Sequence, residues 1–121
     1  MEETKYALVV DNEDSVRKYL ERLLDPLKIE VLEAVDGEQG LELASFFEID
    51  LIISDFAMPG LNGLKFLKAC RKLYPQLPFI VISRHPQELI DETDNTFFLS
   101  KPFNGEEVVN LVDSILNKQP A

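Results

Sequence analysis

Short continuous apolar runs alternate along this chain with stretches of helical period. Ala7-Leu8-Val9-Val10, Leu51-Ile52-Ile53-Ser54 and Phe79-Ile80-Val81-Ile82 are each closed by polar or turn-forming residues, the pattern of strands buried on both faces. Phe97 to Ser100 is a shorter run of the same kind. Ile29 to Ala34 differs: it alternates apolar with acidic residues (Ile29, Glu30, Val31, Leu32, Glu33), which suits an edge strand with one wetter face. Between the runs lie amphipathic periods. Val16, Tyr19, Leu20, Leu23 and Leu24 mark one face of a first helix that Pro26 stops. Asp36-Gly37 turns into a second with Leu41, Ala44 and Phe47 inward. Asn62 can cap a third, whose stripe is Phe66, Leu67, Cys70, Leu73 and Tyr74 and which Pro75 ends. Asn104, with Glu107 three residues on, reads as a capping box opening a last helix with Val108, Leu111, Val112 and Ile115 inward.

Strands and helices alternating at this spacing imply right-handed crossovers, and hence an α/β fold: a parallel sheet with helices on both faces. Three of the strands then deliver polar groups to their carboxyl ends: Asp11-Asn12-Glu13 after the first, Asp55 after Leu51–Ser54, and Ser83 after Phe79–Ile82. In open parallel sheets ligands and chemistry collect at that edge. Asp55 stands out, because it closes a fully apolar strand and is followed at once by the turn formers Phe56-Ala57-Met58-Pro59-Gly60. The same pattern predicts that Asp11, Asp55 and Lys101 converge at one place on the carboxyl edge.

The 121 residues are expected to form one domain, 1–121, with 117–121 a tail or the start of a linker. A net charge of −10 argues against a direct nucleic-acid or membrane-surface partner, since no basic cluster breaks the acidic balance. Cys70 is the only cysteine, so no disulfide can form within the chain and no cysteine-based zinc site exists. The N-terminal residues lack the order of a signal peptide and no apolar stretch reaches membrane-spanning length, so a cytoplasmic location is expected.

Four landmarks occur in order: Val9-Val10-Asp11-Asn12-Glu13, Asp55 through Phe56-Ala57-Met58-Pro59-Gly60-Leu61-Asn62-Gly63, Ser83 after an apolar strand, and Lys101-Pro102-Phe103. Together they resemble the receiver domains of bacterial response regulators, the chemotaxis-regulator-like family, across essentially the whole chain. The resemblance implies a doubly wound, flavodoxin-like five-stranded sheet in the order 2-1-3-4-5. It implies a phosphorylation-activated switch in a two-component pathway, which takes part in its own phosphotransfer and dephosphorylation without acting on an external substrate. The implied partner is a sensor histidine kinase or phosphotransfer protein. The implied cofactor is Mg2+, or Mn2+ in its place.

Residue by residue, the resemblance casts Asp55 as phosphoacceptor, Asp11 as holding the ion through water, Asn12 in the position of a direct ligand, and the Ala57 backbone carbonyl as a further oxygen. Glu13 matches a frequent third acid. Lys101 is the ammonium that reaches the carboxylate and then the phosphoryl oxygens, Ser83 donates its hydroxyl to one of those oxygens, and Phe98 occupies the aromatic switch position coupled to Ser83. Taken singly each residue has a plainer reading: Asp55 a cap or turn former, Lys101 a solvated lysine, Pro102 a strand stop, Phe98 core, Ser83 a turn cap, Asp11-Asn12-Glu13 a helix start, His85 a loop residue.

Three departures set this chain apart from the family pattern. Asn12 stands where a second acid is usual; a unit charge at ~4 Å and an effective dielectric of ~20 is worth about 4 kcal/mol before hydration is discounted, so magnesium binding should be weaker. Arg84 follows Ser83 where a small residue is usual and, with His85, lies at the pocket mouth, either crowding the phosphoryl site or pairing with its oxygens. The crossover between the fourth and fifth strands, with Pro86 and Asp91-Glu92-Thr93-Asp94-Asn95, is near the lower limit for a parallel connection, so the fourth helix should be very short and the usual signalling face altered. These departures motivate an alternative, a degenerate receiver acting as a phosphorylation-independent interaction module. A small phosphatase or flavin protein of the same fold order is disfavoured, because Asn12-Glu13-Asp14 would repel a phosphate without metal.

Overall fold

The computed structural model describes residues 4–57, 62–84 and 95–117. The chain forms β1 (Lys5–Val10), α1 (Asp14–Leu24), a 3-10 turn (Asp25–Leu27), β2 (Ile29–Ala34), α2 (Gly37–Phe46), β3 (Leu51–Asp55), α3 (Gly63–Leu73), β4 (Phe79–Ser83), β5 (Thr96–Ser100) and a C-terminal helix, α4 (Gly105–Leu116). All strand pairs are parallel and the order is β2-β1-β3-β4-β5, which makes the alternating Ile29–Ala34 run an edge strand. The expected short fourth helix, with His85 and Pro86, lies outside the described residues, as do residues 58–61.

The two-sided burial of the central strands divides the core by strand alternation. Ala7, Val9, Leu51, Ile53, Ile80 and Ile82 pack with Leu20 and Leu24 of α1 and Val108 and Val112 of α4. Their neighbours Leu8, Val10, Ile52, Phe79 and Val81 pack on the other face with Ala44 of α2 and Phe66, Leu67 and Cys70 of α3. Local chemistry sets the helix starts. Asp36 accepts from the Gln39 amide and Asn62 from the Lys65 amide, and Asn104 with Glu107 forms the full reciprocal capping box. Gly63 is fixed by close approach: a Cβ there would lie 2.5 Å from the Phe56 Cα and 2.7 Å from the Asp55 carbonyl oxygen. The start of α3 is therefore pressed against the end of β3.

Three expected inward residues prove to be outward. Tyr19 is 38% exposed and leans on Phe103, because the buried stripe of α1 runs through Arg17, Leu20 and Leu24. Phe47 lies beyond the last turn of α2, half-exposed beside Tyr6, and Leu73, the final residue of α3, is 62% exposed. At both sites the chain leaves the helix before its period can carry the residue inward.

Candidate functional site

Strand register builds the site. Val10 of β1 is opposite Ser54 of β3, so Asp11 and Asp55 emerge side by side from the carboxyl edge. Asp55 pairs in register with Ile82, Ser83 with Ser100, and the Lys101 amide donates to the Ser83 carbonyl at 2.8 Å. The Lys101–Pro102 peptide bond is cis. Lys101 follows β5 into the same edge, where its ammonium donates to Asp55 Oδ1 at 3.1 Å. Both side chains are largely buried, at 19% and 8% exposed.

Asp11 is 2% exposed, and its Oδ1 accepts from the Glu13 amide at 2.8 Å. Burial pushes its carboxyl above the ordinary value. The Glu13 amide bond opposes this, the negative charge of Asp55 adds to it and the positive charge of Lys101 offsets it. Asp11 therefore feels both Asp55 and Lys101 electrostatically.

A cleft of about 500 Å³ opens over this edge, lined by Asn12, Glu13, Asp55, Phe56, Ala57, Ser83, Arg84 and Lys101. Arg84 is exposed on the wall that carries Ser83, so it shares the opening with the acids. Phe98 of β5, opposite Val81, is partly buried against the α2–α3 side of the core. His85 lies outside the described residues.

The oxygens gathered here, two carboxylates and the Asn12 amide beside the Ala57 backbone, are the hard, oxygen-only donors that suit a small divalent cation. Among the described residues no three acidic, histidine or cysteine side chains gather as a metal-binding group. Asn12 leaves two acids, Asp11 and Asp55, with a neutral oxygen where a third acid would stand. The donor set fits magnesium, with less charge than an all-acid set would bring.

Arg17 was not singled out from the sequence and belongs to the same edge. Its guanidinium donates to the Asp11 carbonyl at 2.6 Å, to Glu33 Oε1 at 3.0 Å and to Asp14 Oδ1 at 2.9 Å. The backbone that carries Asp11 is thereby tied to α1 and to the edge strand. A signal was available: Arg17 stands three and seven residues before Leu20 and Leu24, on the apolar stripe, where a charge needs buried partners. Glu33 on the adjacent edge strand supplies one.

Residues 7–113 match the family model described as "Response regulator receiver domain". The transcriptional regulator NtrC of Klebsiella pneumoniae is 31% identical over 92% of this chain, which spans 24% of NtrC. The sensor kinase CckA of Brucella abortus is 33% identical over 93% of this chain, which spans 12% of CckA. The chain thus spans a quarter or less of these two relatives. Among solved structures, the chemotaxis response regulator CheY4 of Vibrio cholerae superposes with a TM-score of 0.85 at 29% identity, covering 93% of this chain and 99% of CheY4.

Proposed function

We propose, for a chain that belongs to the response regulator receiver domain family, that it is a phosphorylation-driven switch whose acceptor is Asp55. The observation that carries the reading is the Lys101–Asp55 pair at 3.1 Å on a carboxyl edge shared with Asp11 and Ser83. A carboxylate is a weak nucleophile, and its attack on a phosphoryl group brings two anions together. The site answers with preplaced positive charge and with positioning of the attacking carboxylate.

In the proposed step a bond forms between an Asp55 carboxylate oxygen and phosphorus, and the bond from phosphorus to the histidine nitrogen of a kinase or phosphotransfer protein breaks. Asp11, Asn12, Asp55 and the Ala57 carbonyl would hold magnesium, with Glu13 adding charge. When bound, the ion neutralises the carboxylates and the incoming phosphoryl oxygens. Lys101 already holds Asp55 Oδ1, so its ammonium is placed to follow charge from the carboxylate to the phosphoryl oxygens as the bond forms. The Ser83 hydroxyl, on the neighbouring strand end, donates to the same group. Drawing Ser83 toward the phosphoryl group opens space into which Phe98, partly buried beside Val81, moves inward. Residues 1–121 act in this reading as one receiver domain working on the cytoplasmic side. Its output is an effector or partner protein and not nucleic acid directly.

A second reading, a receiver that binds partners without phosphorylation, draws on two observations: the neutral Asn12 in the acid cluster and the Arg84 side chain lining the cleft. Intact mass separates the two. After incubation with acetyl phosphate and magnesium, the first reading expects a gain of one phosphoryl group in the wild-type chain and none in Asp55→Asn. No gain under any donor or magnesium concentration supports the second.

A further inference from the structure

We infer that the outward face of α2 and α3 is a homodimer interface in which each copy's acidic α2 meets the partner's basic α3. The two helices lie side by side on one face of the sheet and carry opposite charge. α2 contains Glu38 and Glu42 and no basic residue, while α3 contains Lys65, Lys68, Arg71 and Lys72 and no acid. Arg71 is turned away, its guanidinium donating to the Asn95 carbonyl and to Thr96 at the β5 side of α3. Glu38, Glu42 and Phe46 follow one another at four-residue spacing on the solvent side of α2, and Lys65, Lys68 and Lys72 form the matching exposed stripe of α3.

The apolar part of this face lies at the same end of both helices. Phe46 is 77% exposed and Leu73 62%, the two most exposed large hydrophobic residues among the described residues. Gly40 of α2 sits against the Phe66 ring, so this side of α3 faces α2, and Leu73, seven residues after Phe66, lies on the same side. The Tyr74 hydroxyl donates to the Ala44 carbonyl at 3.2 Å and fixes the spacing of the two helix ends. The face is therefore a rigid, bipolar surface with an apolar end.

Symmetry selects the occupant. An isologous contact requires a patch that complements itself. Both helices begin at the carboxyl edge of the sheet and run the same way, so a twofold axis along the α2–α3 groove sets Glu38 against the partner's Lys65, Glu42 against the partner's Lys68 and Phe46 against the partner's Leu73. A uniformly acidic or basic partner would meet like charge on one of the two helices. On a chain of net charge −10, this face carries both signs, so contact through it adds no like-charge repulsion of its own. Helices of 10 and 11 residues give a patch smaller than the ~800 Å² per partner of standard stable complexes, so the dimer is a transient one.

Sedimentation velocity on the full chain from micromolar to millimolar concentration tests this, without dependence on the phosphorylation reading. The expected result is a weight-average mass rising with concentration toward twice 13.8 kDa. Phe46→Ser should abolish the rise. Glu42→Lys and Lys68→Glu should each weaken association about tenfold or more, because every reversal acts twice in a symmetric contact, and the double variant should restore it. Circular dichroism melting verifies that these surface variants fold. A chain monomeric at millimolar concentration, a dimer indifferent to Phe46→Ser, or a double variant no better than the singles overturns the proposal.

Discussion

Replacing Arg17 with alanine should destabilise the domain by about 3 kcal/mol, although arginine is ordinarily a surface residue. Its three acceptors are unequal. Asp14 is 71% exposed, and that ion pair contributes at most ~0.5 kcal/mol. Glu33 keeps Lys18 at 2.7 Å when Arg17 is gone, so its loss is partly covered. The decisive bond is the one at 2.6 Å to the Asp11 carbonyl, a charge-assisted bond in a buried setting worth ~1.5–3 kcal/mol, whose removal leaves a carbonyl without its donor. The side chain is only 10% exposed, so truncation also empties the space its methylenes fill, for ~1 kcal/mol more. At roughly 4 °C per kcal/mol for a domain of this size, thermal melting by circular dichroism should fall by about 12 °C. Arg17→Lys should recover less than half of the loss, since one ammonium cannot reach three separated acceptors. Because the same bond holds the backbone of Asp11, phosphorylation from a small donor should slow in parallel. A melting temperature within about 3 °C of wild type in Arg17→Ala would refute the role given to this guanidinium.

Asn12→Asp should tighten magnesium binding by about tenfold or more in a calorimetric titration, while lowering the melting temperature of the metal-free domain, because a third acid joins Asp11 and Asp55; equal or weaker binding would show that charge at this position is not limiting. Asp11→Asn should raise metal-free stability at neutral pH. Burial first, and then the charge of Asp55, raise the Asp11 carboxyl, so the ionised form is penalised in the folded state and the penalty is full above the folded value. The gain should shrink as pH falls through the folded value and vanish below the unfolded carboxylate range, measured as the difference in chemical denaturation between variant and wild type at each pH. Arg84→Ala should speed both loading from acetyl phosphate and decay of the phosphorylated form severalfold, since donor and hydrolytic water share the opening that Arg84 lines; unchanged decay would place the guanidinium away from the phosphoryl group.

Most of the scaffold was legible because two-sided burial writes continuous apolar strands, and because Asn62 and Asn104 are caps whose chemistry is local. The alternation at Ile29–Ala34 identified the edge strand for the same reason. The misses have a common cause. Tyr19, Phe47 and Leu73 continue an apolar period to a flank or past a helix end, and only tertiary context decides whether such a residue turns inward. Arg17's place on the apolar stripe and Glu33 on the adjacent strand were legible, but its decisive acceptor, the Asp11 carbonyl, leaves no trace in a sequence. At the site, strand-end positions and the family pattern brought forward Asp11, Asp55, Ser83 and Lys101. The 3.1 Å contact between Lys101 and Asp55 follows from the register of three strands, which no local pattern carries. For Arg84 the sequence left two orientations open, and the cleft geometry puts it on the wall of the opening.

The claim at the centre of this account is that a phosphoryl group on Asp55 changes the conformation of the domain. The amide spectrum of 15N-labelled protein, recorded with magnesium before and after addition of acetyl phosphate, tests it most directly. The expected result is a new set of resonances in which Asp55, Ser83, Phe98 and Lys101 shift most, with no change in Asp55→Asn under the same conditions. Identical spectra before and after the donor, or shifts that persist undiminished in Asp55→Asn, would contradict the account and leave a domain that binds its partners without being switched.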